Sequence, residues 1–132
     1  MMRIGILTGG GDVPGLNTII RDITYRATRE KKVEVIGIKR GWGGLIYMNP
    51  SNSEMDSNHA IKLDDTTVRK IDREGGTFLH TSRVLPSKVK VHPDLKKYRG
   101  LSFDGKIDMT PDVLQNLNNL GIDILAVIGG DD

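Results

Sequence analysis

The chain contains no cysteine, carries a net charge of only +2, and never strings together more than five apolar residues, the longest run being Ile124–Ile128. Each shortage closes off a class of function. Without cysteine there are no disulfides to staple a small secreted fold and no thiolates for a metal site. A run of five is far short of the ~18 apolar residues that a membrane-spanning helix needs. A charge so close to neutrality gives no footprint for nucleic acid or an anionic membrane, and neither is expected as a partner. The start, MMRIGILT, lacks the basic-then-apolar pattern of a secretory signal, so a cytoplasmic location is expected.

What remains is a chain of 132 residues, 37% hydrophobic and 27% charged, enough for one domain at most. Arg3–Thr8 (RIGILT) is short, apolar and bounded by glycine, which predicts a buried strand. From Leu16 to Arg29 the residues Leu16, Ile19, Ile20, Ile23 and Ala27 share one helical face, with Pro14 near the start. Val33–Lys39 predicts a second strand, completing a βαβ unit whose right-handed crossover places both strand ends on one edge of a sheet. The loop Arg40–Gly44 (RGWGG) then lies on that edge. Asp64–Glu74 predicts a helix capped by a carboxylate or Thr66 and stopped by Gly75–Gly76, and GGTFLHTSR turns into an extended piece ending at Arg83. Residues 86–108 form a polar, basic excursion. Thr110 as cap, Pro111 and Asp112 start a helix with Val113, Leu114, Leu117 and Leu120 on its apolar face, ended by Gly121. Ile122–Ile128 is the most hydrophobic strand. The order predicts a doubly wound, mainly parallel α/β sheet, incomplete because nothing follows to cover its last strand. The expectation is a fragment, residues 1–132 forming part of a donor-binding domain; a partner supplying the missing layer is the alternative.

In such sheets ligands sit beyond the carboxyl ends of the strands. Two of those ends carry glycine and acid: TGGGD at Thr8–Asp12 and IGGDD at Ile128–Asp132. Glycines let backbone N–H groups reach phosphate oxygens, and a helix N-terminus reinforces them. An aspartate beside phosphate calls for a bridging divalent cation, so the pair points to Mg²⁺-phosphate. A tight strand-to-helix turn is the plainer reading of the first stretch. No Lys-Ser or Lys-Thr follows the glycines, so the P-loop is absent, and Gly9, Gly11 and Gly15 are wrongly spaced for a dinucleotide fingerprint.

Taken together, LTGGGDVPGLN, RGWGGL, GGTFLHTSR and VIGGDD resemble, in order and over almost the whole chain, the amino-terminal third of a phosphofructokinase. The resemblance implies phosphorylation of fructose 6-phosphate at its 1-hydroxyl by ATP or diphosphate with Mg²⁺, in glycolysis, by a full-length homo-oligomer. It implies that Gly10, Gly11 and Arg83 contact the donor phosphates and that Asp131 binds the metal. Asp12 belongs to the same motif, with capping as its other role, and Trp42 stands where an aromatic lies near the donor or simply packs. The catalytic base, in a TIDND segment, and the sugar site would lie beyond Asp132, so this chain alone is expected to be inactive. Asp132 is similar to the aspartate of diphosphate-using members, where ATP-using members carry glycine. A carboxylate ~4 Å from an α-phosphate costs about 4 kcal/mol at an effective dielectric near 20, roughly a thousandfold in binding. Diphosphate is therefore the expected donor, with ATP the alternative and a non-catalytic phosphate-binding remnant the third reading. Arg21 resembles one arginine of a nucleotide-effector site, but Tyr25 replaces the second, which speaks against that control.

Two rivals carry less. Arg83, Lys88, Lys90, Lys96, Lys97 and Arg99 stand against one acid, Asp94, over Arg83–Gly100, which would suit a polyanion, though a solvated loop is the usual explanation of such a stretch. His59, His80 and His92 fit no ligand spacing.

Overall fold

The computed structural model describes residues 2–10, 15–30, 33–47, 59–73, 76–82, 86–87, 89–90 and 106–129. Within them β1 (Arg3–Gly9), β2 (Glu34–Ile38), β3 (Ala60–Leu63) and β6 (Ile124–Gly129) make one sheet in the order β3-β2-β1-β6. β1 runs parallel to both β2 and β6, with Ile4 opposite Val35 on one side and Ile124 on the other, while β3 is antiparallel to β2. The short segment AIKL of β3 was not anticipated as a strand. In the 86–108 excursion, β4 (Val89–Lys90) pairs antiparallel with β5 (Lys106–Ile107); residues 88 and 91–105 lie outside the described residues.

Alternation along the strands sends successive side chains to opposite faces, and both faces of the central strands β1 and β2 are covered. Leu7, Ile36 and Ile38 pack with Leu45 and Ile46 of α2 (Trp42–Tyr47) and with Val113 of α4 (Thr110–Asn119). Ile6, Val35 and Leu63 pack on the other face with Ile20 of α1 (Leu16–Tyr25), Val68 of α3 (Asp65–Val68), Ile71 and Leu79. The fold is thus the doubly wound α/β layering that the element order implies.

Several local expectations need correcting. Trp42 opens a helix, so the loop after β2 is shorter than Arg40–Gly44. α1 stops at Tyr25 and gives way to a π-helical turn, Arg26–Glu30, where the hydroxyls of Thr24 and Thr28 bond the carbonyls of Ile20 and Thr24 at 2.8 and 2.7 Å. Such back-bonding competes with the α ladder. Ile19 is 42% and Leu114 60% exposed, while Asn17, Thr24 and Asn116 are buried in their place. The helical face is therefore rotated, and polar residues occupy it because each has a partner: Asn17 Nδ2 donates to Ile71 O at 2.9 Å and Asn116 Nδ2 to Leu45 O at 2.6 Å. At α4 it is Asp108, not Thr110, whose side chain serves the first turn, accepting from the Thr110 N–H at 3.0 Å. α3 is shorter than Asp64–Glu74, with a 3₁₀ turn at Ile71–Arg73, but Asp64 caps it as expected, accepting from the Thr67 N–H at 2.8 Å.

The largest correction concerns β6. The most apolar strand is not the most buried: it ends the strand order, and Ile124 and Val127 are 50% and 52% exposed.

Candidate functional site

Parallel strands finish on one edge, and β1 and β6 finish level. Gly9 pairs with Gly129 in their ladder. A Cβ on Gly129 would lie 2.1 Å from the Gly9 carbonyl oxygen, so no side chain can separate the strands there. A Cβ on Gly9 would meet nothing within 4 Å among the described residues. Two strands whose sequences run on into glycine and aspartate thus end side by side. α1 begins nearby, with Gly15 as its N-cap at φ 96°, no side-chain cap from that residue, and no acid in its first turn. Among the described residues, its positive dipole end carries no carboxylate.

The third contribution is an irregular strap, residues 77–82, laid across this edge. Leu79 anchors it in the core, over Gly37 of β2, where a Cβ would come within 2.6 Å of Leu79 Cδ2. Hydroxyls do the rest. Thr8 Oγ1 donates to His80 O at 2.8 Å and lies 3.0 Å from Thr77 Oγ1. A hydroxyl has one proton, so Thr77 must be the donor to Thr8. Thr81 Oγ1 donates to Gly10 O at 2.8 Å. Ser82 Oγ donates to Arg40 O at 2.7 Å and accepts from the Gly43 N–H at 3.3 Å. Arg40 N–H in turn donates to Leu79 O at 2.8 Å, and Phe78 N–H to Asn17 Oδ1. The strap is therefore tied to β1, to the start of α2 and to α1. Arg40 and His80 pay for its tight path with left-handed backbone, φ 61° and 60°.

Of the residues singled out from sequence, Gly10 stands within this arrangement. It is buried at φ 75°, its N–H donates to Ser82 O at 3.1 Å, and its carbonyl takes the Thr81 hydroxyl. Its own N–H is committed inside the protein, so Gly10 contributes the turn and the absence of a side chain. Gly11, Asp12, Arg83, Asp131 and Asp132 lie outside the described residues. So do His92 and most of the basic stretch. Trp42 is partly buried and packs against the Leu7–Leu45 cluster. Tyr25 lies under the guanidinium of Arg29 at 4.1 Å, with Arg21 at 6.0 Å. No group of three His, Asp or Glu able to hold a metal occurs among the described residues.

Thr8, Asn17, Thr77, Thr81 and Ser82 were missed by sequence reasoning. The clue was available in the three hydroxyls of GGTFLHTSR and in one asparagine on an apolar helix face. Among the described residues, Glu34 is held below its ordinary range by a hydrogen bond from Arg3, Asp64 by Thr67 and Asp108 by Thr110. These are structural pairings.

The phosphofructokinase family model matches residues 3–132. The chain is 39% identical to ATP-dependent 6-phosphofructokinase 2 of Clostridium perfringens, over 98% of this chain and 31% of that protein. It is 38% identical to the pyrophosphate–fructose 6-phosphate 1-phosphotransferase of Dictyoglomus thermophilum, over 99% of this chain and 30% of that one. Its fold superposes on the crystal structure of Pichia pastoris phosphofructokinase in the T-state with a TM-score of 0.70 and 27% identity, covering 98% of this chain and 11% of that one. The chain spans about a third of the length of these curated relatives.

Proposed function

Because the chain belongs to the phosphofructokinase family, we propose that it is the donor-side segment of a 6-phosphofructokinase that transfers a phosphoryl group from Mg-diphosphate to the 1-hydroxyl of fructose 6-phosphate. One observation supports this above the rest: Gly9 and Gly129 end adjacent parallel strands in register, with the strap fastened beside them. That edge offers backbone to phosphate oxygens with no side chain in the way. Gly10 and Gly11 would form the floor under the donor phosphates. Arg83, next in sequence after the anchored Ser82, would spread its guanidinium over the oxygens that gain charge.

A Mg²⁺ carried on phosphate needs one or two carboxylates rather than a protein cage. The paired glycine ends of β1 and β6, which carry no side chains, suit such a group, and Asp131, two residues after Gly129, would hold it. When bound, the ion neutralises charge moving between donor and acceptor oxygens. The sugar site and the base would come from the remainder of a protein of the relatives' length, and the 132-residue chain by itself would not turn over.

Diphosphate is proposed as donor because Asp132 resembles the aspartate of diphosphate-using members, a second carboxylate that would repel a nucleotide's α-phosphate. ATP is the second reading, favoured by the names of relatives such as the Clostridium perfringens enzyme. A coupled assay of the full-length protein, with fructose 6-phosphate and each donor in turn, decides. Diphosphate is expected to give the higher kcat/KM; ATP ahead by a wide margin overturns the donor assignment, and no turnover with either overturns the enzyme reading.

A further inference from the structure

We propose that His80 is a donor-binding residue, its imidazole giving a ring N–H to a phosphate oxygen seated at the ends of β1 and β6. This rests on the donor-site reading above and adds to that site a group from the strap. His80 stands at φ 60°, in the left-handed region that glycine adopts freely and a residue with a Cβ adopts only at a cost. Its N–H closes a turn by donating to Thr77 O at 3.1 Å, and such a turn calls for no side chain at its last position. Glycine would serve the path of the chain better. Backbone held in this region by a non-glycine residue gathers at ligand sites, where the side chain supplies the reason for it.

The place of His80 follows from what is fastened on either side of it. Its carbonyl accepts from Thr8 Oγ1 at 2.8 Å, and the next residue, Thr81, donates its hydroxyl to Gly10 O at 2.8 Å. Tied to the residues just before and just after Gly9, the strap sets His80 beside Gly9, the glycine that pairs with Gly129. The other side chains of the strap have structural tasks. Thr77 serves Thr8, Phe78 packs against the Ile6–Val35 cluster, Leu79 fills that core, Thr81 serves Gly10 O and Ser82 serves Arg40 O. The imidazole has none: His80 is exposed, and its ring makes no hydrogen bond, ion pair or ring contact among the described residues. An imidazole carries a ring N–H in either tautomer, and an exposed donor beside backbone free of side chains suits a phosphate oxygen.

The test uses the full-length enzyme with fructose 6-phosphate and whichever of diphosphate or ATP supports faster turnover. His80→Gly removes the ring and relaxes the backbone, so donor binding and stability are expected to move apart. The KM for the donor is expected to rise about tenfold, the scale of one hydrogen bond to a charged group, with the KM for fructose 6-phosphate within about twofold of wild type. The midpoint of denaturant unfolding is expected to stay at or above that of wild type. His80→Ala separates loss of the ring from the added freedom of glycine, and the same rise in donor KM is expected of it. An unchanged donor KM in either variant overturns the inference, as do equal rises in both KM values. A His80→Gly protein that unfolds at lower denaturant than wild type also overturns it, since the ring would then be structural. A wild-type enzyme idle with both donors refutes the donor-site reading itself, whereas an active wild type beside unaffected variants refutes this inference alone.

Discussion

Gly129 lies so close to Gly9 that one methyl group on Gly129 would stand 2.1 Å from the Gly9 carbonyl oxygen. The contact is with backbone, which cannot rotate aside as a side chain can. Gly129→Ala is therefore expected to force the ends of β1 and β6 apart and to destabilise the fold by about 2 kcal/mol or more. Gly9→Ala, whose Cβ meets nothing within 4 Å among the described residues, is expected to stay within ~0.5 kcal/mol of wild type in the same denaturant titration. Equal effects of the two substitutions would mean that the strand ends are not packed as described.

Arg3 ties three elements together. Its Nε donates to Glu34 at 2.6 Å, its Nη1 to Leu120 O at 2.7 Å, and its N–H to Asp123 Oδ2 at 2.9 Å. The hydrogen bond from Arg3, then the Coulombic attraction of Arg3 and Lys62, hold the Glu34 carboxyl below its ordinary range against an opposing effect of desolvation. A carboxyl depressed in the folded state contributes stability above its unfolded pKa and loses it as the pH falls through the folded value. Glu34→Gln is thus expected to lower the unfolding midpoint near pH 7 and to differ little from wild type near pH 3. A gap between the two proteins that widened on acidification would reverse the sign and refute the pairing.

How much of this was readable beforehand depended on whether the signal was local. The βαβ unit was legible because Ile4–Leu7 and Val35–Ile38 are short apolar runs with a helical repeat between them, and the Gly121 stop because φ 68° suits glycine. β3 was not, since a four-residue strand has no period long enough to recognise. Asn17 and Asn116 were hidden because their burial depends on carbonyls 54 and 71 residues away in sequence. At the site, the glycines announced the edge, but the Thr8–Thr77–Thr81–Ser82 lacing that shapes it joins residues about seventy positions apart, and no spacing reveals that.

β6 misled for a related reason: hydrophobicity marks what a strand is built to contact, and here the contact is not within these residues. Ile124 and Val127 have opposite parity along the strand and so project from opposite faces, both about half exposed, beside an edge with no lysine or proline. β3, at the other edge, is short and carries exposed Lys62, the usual protection of a true edge. In a protein of the relatives' length, further strand and helix are expected to cover β6. Val127→Asp in such a protein should then cost about 2 kcal/mol or more, as a carboxylate forced into an apolar contact does. A loss within ~0.5 kcal/mol, the mark of a surface position, would show that the face stays open.

The donor assignment turns on one carboxylate, Asp132, and can be argued in both directions of substitution. If its charge repels the α-phosphate of a nucleotide, Asp132→Gly removes that repulsion and leaves the rest of the phosphate floor in place. At ~4 Å and an effective dielectric near 20 the relief is about 4 kcal/mol, so kcat/KM with ATP is expected to rise by up to roughly a thousandfold. Diphosphate has no α-phosphate tail, and its kcat/KM should not rise. Asp132→Asn distinguishes charge from bulk: it keeps the size and drops the charge, so it should recover most of the gain if repulsion dominates and little if the side chain simply blocks the path. Steady-state kinetics of the full-length protein with both donors give the answer. No gain with ATP in either variant would mean that Asp132 does not select the donor.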